Sequence, residues 1–150
     1  MNFQKNLRGS MLMDLLVTFS IIALLATVSI PYLRKYQPNL KLSGEARTLT
    51  TDLRLAQQLT VTEQKVHLIS FDLLNDKYYI LKIDVATTTV KTVSLDPEVS
   101  LKQITGLIDN QAVFNFYGGV SQSGTVTLTN INNVDAIINI KPSGYIQLVE

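Results

Sequence analysis

The sequence has no cysteine and a single histidine, His67. Without thiols there is neither a disulfide framework nor a thiolate metal site. That lack says nothing about redox compartment, because exported domains often do without disulfides. His67 stands in a strand-like run close to Ser70 and Asp72. Those neighbours are too near in sequence to make a nucleophile triad, and no nucleophile elbow is present. Arginine is missing after Arg54: beyond Thr60 there are six lysines, no arginine and nine acids counting Glu150. The C-terminal part is therefore mildly acidic, which disfavours a phosphate-binding surface built from clustered Lys and Arg. Gly118-Gly119 and the group Asn130, Asn132 and Asn133 lack the strand, glycine-rich loop and helix context of a phosphate cradle and read as turns. Asp72, Asn75 and Asp76 could offer oxygens to calcium, but without EF-hand spacing they too read as a turn. No catalytic residue, cofactor or metal is expected, and the chain does not read as an enzyme.

Charge is just as scarce in one long stretch near the start. From Leu15 to Ile30 runs LLVTFSIIALLATVSI, about 24 Å of helix at 1.5 Å per residue. With Ser10–Met13 before it and Pro31–Leu33 after it, the segment reaches the length of a membrane span. Pro31 is expected to kink this helix without ending it, since lipid-embedded helices tolerate proline. Lys5 and Arg8 precede the span; Arg34 and Lys35 follow it. A secretory signal would have a shorter apolar core and a small-x-small cleavage site after it. A plain signal anchor fits the length but leaves Asp14 unexplained. A carboxylate costs roughly 2.5–3.5 kcal/mol at the centre of a membrane helix, so it usually persists where something pairs with it.

Tyr36-Gln37-Pro38-Asn39 read as a bend, after which helical spacing resumes. Leu42, Ala46, Leu49, Leu53 and Ala56 recur at steps of four and three, leaving Glu45, Arg47, Asp52, Arg54 and Gln57 elsewhere around the helix. Such a stripe predicts a helix laid on a sheet. Beyond the β-branched Thr60-Val61-Thr62 the chain reads as strands. Val66–Phe71 and Lys77–Ile83 form a hairpin around Leu73–Asp76. Thr88–Leu95 and Val99–Ile104 flank Asp96-Pro97-Glu98, and Ala112–Tyr117 ends at Gly118-Gly119. Thr125–Thr129 alternates, with Val126 and Leu128 inward. Asp135–Lys141 and Tyr145–Val149 close a last hairpin around Pro142-Ser143-Gly144. One helix followed by many short strands predicts an α+β architecture, a long N-terminal helix packed on an antiparallel β-sheet head.

The stretch Arg8-Gly9-Ser10-Met11-Leu12-Met13-Asp14-Leu15-Leu16-Val17 resembles the leader and first helix of type IV pilins and type II secretion pseudopilins. Their usual form is a short basic leader, a glycine, then Phe-Thr-Leu-Ile-Glu-Leu-Leu-Val. Ala46-Arg47-Thr48-Leu49-Thr50-Thr51-Asp52-Leu53-Arg54-Leu55-Ala56 is similar to the helix of GspH/FimT-type minor pilins. Val113–Phe116, Gly124–Leu128 and Pro142–Ile146 echo the strands and late Ser-Gly turn of that group. Two residues depart from the pattern: Ser10 replaces phenylalanine and Asp14 replaces glutamate.

The resemblance implies a pilin-like fold in four parts: a cleaved basic leader (1–9), a transmembrane and filament-core helix (10–33), an amphipathic stem helix (34–62) and a β-rich head (63–150). It implies cleavage by prepilin peptidase between Gly9 and Ser10, N-methylation at Ser10, an assembly role for Asp14 and a helix kink at Pro31. The implied partners are other pilin subunits, the peptidase, an inner-membrane assembly platform with its ATPase, and membrane lipid before assembly. The implied location is single-pass in the cytoplasmic membrane with the head outside, then a surface or periplasmic filament. Two rival readings stand beside it. One is a DNA-receptor minor pilin, against which the arginine-free tail Ser143–Glu150 argues; the other is a non-polymerising signal-anchored binding domain.

Overall fold

A computed structural model describes residues 7–149 of the chain, with side chains from Met11 onward. The chain divides into two compact units, with the boundary between Gln37 and Pro38. Helix α1 spans Leu7–Glu63. The bend expected at Tyr36–Asn39 does not interrupt it, because all four residues are helical. A proline inside a helix loses a hydrogen bond and crowds the carbonyl four residues back. Here Pro38 is buried, and the neighbouring Asn39 Oδ1 accepts a hydrogen bond from Asn130 Nδ2 at 2.7 Å. Contacts of this kind outweigh the local preference.

In the second unit the helix ends as the spacing predicts. Gln64 adopts a left-handed φ of 53°, and the chain turns back into strand β1 (Val66–Asp72). Thr60 Oγ1 donates to the Ala56 carbonyl and accepts from the His67 N–H, which pins β1 to the last helical turn. Strands β2 (Lys77–Ile83), β3 (Thr87–Ser94), β4 (Val99–Thr105), β5 (Gln111–Val113), β6 (Gly124–Asn130), β7 (Asp135–Ile140) and β8 (Ile146–Val149) follow.

They form two four-stranded sheets, ordered β3-β2-β1-β5 and β4-β6-β7-β8; every named pairing is antiparallel. The head thus has two sheets where the sequence suggested one. The β1–β2 and β7–β8 hairpins fall where expected. The runs flanking Asp96-Pro97-Glu98 do not pair with each other, because this turn carries the chain from one sheet to the next. β5 stops at Val113 instead of reaching Tyr117. Beyond it only Phe114 bridges, to Val120, and Asn115 Oδ1 accepts from the Tyr117 and Gly119 N–H groups in a turn.

The helical stripe is the spine of the core. Leu42, Ala46, Leu49, Leu53 and Ala56 are all buried, together with Tyr78, Ile80, Val126, Leu128 and Ile138. Each large aliphatic side chain buried this way contributes about 1.5–3 kcal/mol. One polar residue joins them against expectation. Asp52 is only 3 % exposed, because Tyr78 Oη donates to its carboxylate at 2.7 Å and Lys91 Nζ donates to both its oxygens.

Charged groups ring this core, and their shifts fix how stability varies with pH. Hydrogen bonds from Lys82, Asn75, Lys65 and Lys102 lead in holding Glu63, Asp72, Asp84 and Asp135 respectively below the usual carboxylate range. For Asp96 the Glu98 N–H leads, with Lys41 adding to it. Such groups stabilise the fold above the unfolded value, near pH 4, and lose that contribution as pH falls through their lower folded values. Glu45 opposes them weakly, since burial raises its value. At the alkaline end, burial and then the Asp52 bond push the Tyr78 phenol up, and bonds to Asp96 and Glu98 raise Lys41. A raised value gives stability that is complete below the unfolded pKa and lost above it. Denaturant titrations should therefore show a plateau that falls off below about pH 4 and above about pH 10. In Tyr78→Phe the alkaline limb should be shallower; an unchanged limb would exclude Tyr78 as its source.

Candidate functional site

The first unit presents the feature that needs a function. Among the described residues α1 holds the one helical stretch apolar and long enough to cross a membrane, and none of that stretch is buried. Leu12, Leu16, Phe19, Ile22, Leu25 and Ile30 are all more than half exposed. An apolar surface of this extent does not face water in a monomer, where large exposed patches mark membrane or protein contacts.

The polar groups within it are arranged for an apolar surrounding. Thr18, Ser20 and Thr27 each donate their hydroxyl to the carbonyl four residues back, on Asp14, Leu16 and Ala23. Each hydroxyl thus carries its hydrogen bond inside the helix, as lipid or a packed neighbour would require. Between Met11 and Leu33 Asp14 is the only Asp, Glu, Lys, Arg or His. Its side chain is exposed, on a helix whose surroundings are otherwise greasy.

The remaining sequence candidates fall as follows. The leader through Asn6, and the side chain of Ser10 in the expected cleavage pair Gly9–Ser10, lie outside the described residues. Pro31 is helical and exposed. His67 is fully buried; its Nδ1 lies 2.9 Å from the Lys65 carbonyl and its Nε2 faces Glu63 at 3.7 Å. It links the helix end to β1. Asp72 spends its oxygens on the Leu74 and Asn75 N–H groups and the Asn75 amide, while Asp76 Oδ1 accepts from the Leu101 N–H. Asp72 closes its own turn and Asp76 ties that turn to β4, and among the described residues no group of three His, Asp or Glu side chains could hold a metal.

Two turns far apart in sequence meet. Gln57 Nε2 donates to the carbonyls of both Gly118 and Gly144, and the Val120 N–H donates to the Pro142 carbonyl. Sequence reasoning placed Gln57 merely off the apolar stripe and read the glycines as separate turns. The Asp52–Tyr78–Lys91 cluster was missed as well. The one signal for it was an acid three residues after Leu49, at the edge of the apolar stripe.

No protein-family model matches the chain, and no curated protein matches it by sequence. Solved structures do. The minor pseudopilin EpsH of the Vibrio cholerae type 2 secretion system is 12 % identical at a TM-score of 0.64, over 73 % of this chain and 96 % of its own. The Pseudomonas aeruginosa type IV minor pilin FimU is 14 % identical at 0.62, over 77 % of this chain and 92 % of its own. A helix laid on antiparallel sheets is thus common to all three, and the chain has the pilin-like fold of minor pseudopilins and type IV minor pilins.

Proposed function

We propose that the chain is a filament subunit of the minor pilin or pseudopilin kind, without catalytic activity. The observation that carries this reading is an exposed apolar helix with one acid, Asp14, ahead of a head of pilin-like fold. In this reading the helix first inserts in the cytoplasmic membrane with the head outside. Prepilin peptidase then cuts between Gly9 and Ser10, exposing a new amine four residues before Asp14. An unpaired carboxylate and an unpaired ammonium are each costly in low dielectric, and bringing them together offsets both. Donor and acceptor lie on the same helix, so pairing between chains is heterologous and propagates as an open filament. An assembly platform and its ATPase supply the work of extraction.

Mass spectrometry of the mature chain should give Ser10 as its first residue; an intact Met1 in cells that possess the peptidase would refute the processing step. Asp14→Ala should leave cleavage unchanged. It strands the neighbour's amine without a partner, a loss of at least about 1–3 kcal/mol, so incorporation into sheared filaments should drop about tenfold or more. Asp14→Glu should retain it. Normal incorporation of Asp14→Ala would remove the electrostatic role.

A further inference from the structure

The outer face of the sheet β4-β6-β7-β8 carries a row of hydrogen-bonding side chains at one register. Thr105 stands opposite Thr125, Thr125 opposite Asn139, and Asn139 opposite Gln147. The row is about 14 Å long across three strand spacings. It faces away from the core, because side chains alternate along a strand and the neighbouring Val126, Ile138, Ile140 and Ile146 are buried. Thr125 Oγ1 donates to Asn139 Oδ1 at 3.0 Å, which commits the oxygen of that amide and leaves its N–H groups to donate elsewhere.

A groove of about 440 Å³ opens on this face, lined by Thr105, Ser123, Thr125, Asn139 and Lys141 over the backbone of Gly106 and Gly124. Its rim is fixed. A Cβ on Gly106, where φ is +78°, would sit 2.5 Å from the Ser123 carbonyl oxygen, so the two turns that form the rim are in contact. Little entropy is lost when something binds a groove built this way.

Lys141 brings to the groove a charge that the head does not cancel. Lys65, Lys82, Lys91 and Lys102 each pair with a carboxylate. Among the described residues Lys141 has no such partner. Its Nζ lies 5.4 Å from the Tyr145 ring centroid, and a ring steadies an ammonium without neutralising it. Tyr145 itself is 55 % exposed and adds apolar surface beside the cation.

We propose that this face binds an acidic saccharide, with its ring hydroxyls on the Thr–Asn–Gln row and its carboxylate on Lys141. Sugar hydroxyls both give and take hydrogen bonds, as do the hydroxyls and amides of the row. The unpaired cation at one end selects an anionic sugar over a neutral one. A nucleic acid fits less well, since its affinity would need many cations along a phosphate chain. The groove is open and its hydrogen bonds replace bonds to water, so binding is weak, with a Kd of about 1 mM. This site does not depend on the filament reading.

Saturation-transfer NMR suits such affinities. Full-length protein in phosphocholine micelles is mixed with trigalacturonate, an alginate trimer or sialyllactose, and separately with lactose and maltotriose as neutral probes. At least one acidic sugar should receive saturation at its ring protons, about fivefold or more above the neutral ones. Lys141→Gln should abolish that preference, and Gln147→Ala should weaken the acidic sugar at least about twofold. Both residues are exposed, so the melting temperature should not change. No transfer to any acidic sugar, or undiminished transfer in Lys141→Gln, would overturn the proposal. A thymidine trinucleotide that displaces the acidic sugar at equal concentration would reduce the site to general charge attraction and overturn the saccharide as its ligand.

Discussion

Asp52→Ala is expected to destabilise the head by about 3 kcal/mol, read as a lower denaturant midpoint with unchanged slope. The largest part comes from Tyr78. Its ring is fully buried and its hydroxyl donates to Asp52 at 2.7 Å, so truncating the acceptor leaves a buried donor unsatisfied, at about 1–3 kcal/mol. Lys91 adds less, because its side chain is 43 % exposed and water screens the pair to at most about 1 kcal/mol. The rest is the void left by the side chain. At roughly 4 °C per kcal/mol for a head of this size, the melting temperature should fall by about 12 °C. Asp52→Asn keeps an acceptor for Tyr78 and should cost about a third as much. A double-mutant cycle with Tyr78→Phe should show coupling of about 1 kcal/mol or more between these contacting residues. Additive losses would mean that the hydroxyl and the carboxylate do not support each other.

A methyl group at Gly144 should do comparable damage by a different route. Gly144 has φ +79°, and a Cβ there would sit 1.9 Å from the Gly118 carbonyl oxygen and 2.4 Å from Gln57 Nε2. The left-handed conformation alone costs a residue with a side chain about 1 kcal/mol. Relieving the clash requires moving one of two turns that Gln57 and the Val120–Pro142 bond hold together, and overpacking of this kind adds about 1–3 kcal/mol. Gly144→Ala should therefore lose about 3 kcal/mol. Gly44→Ala is the matched control: it lies in exposed helix with nothing within 4 Å. It should gain about 0.5–1 kcal/mol from helix propensity. If Gly144→Ala is as stable as the parent, the two turns are not locked as described.

Both sites show where reading along the chain stops. The hairpin over 66–83 was legible because alternating β-branched residues and a polar turn are signals within a few residues of one another. The same holds for the stripe from Leu42 to Ala56, whose spacing alone identified the buried face. Asp52 was misplaced because an acid on a helix is most often solvated. What buries it is a tyrosine 26 residues away and a lysine 39 residues away, and no local pattern announces either. Pro38 was read as a break because proline usually is one; contacts of the helix with the head decide otherwise. The division into two sheets was hidden for the same reason, since Asp96-Pro97-Glu98 resembles a hairpin turn whether or not its flanking strands pair.

The candidate site divides along the same line. The apolar run of α1 and its lone Asp14 could be read from the letters, because apolar length and charge are additive properties of neighbouring residues. The pairing of the Gly118 and Gly144 turns through Gln57 exists only once strands distant in sequence have been brought together. Sequence by itself determined the elements and the apolar helix, since local spacing decides which face is buried. Tertiary structure alone decided which turns meet, because that depends on long-range contacts which no single segment encodes.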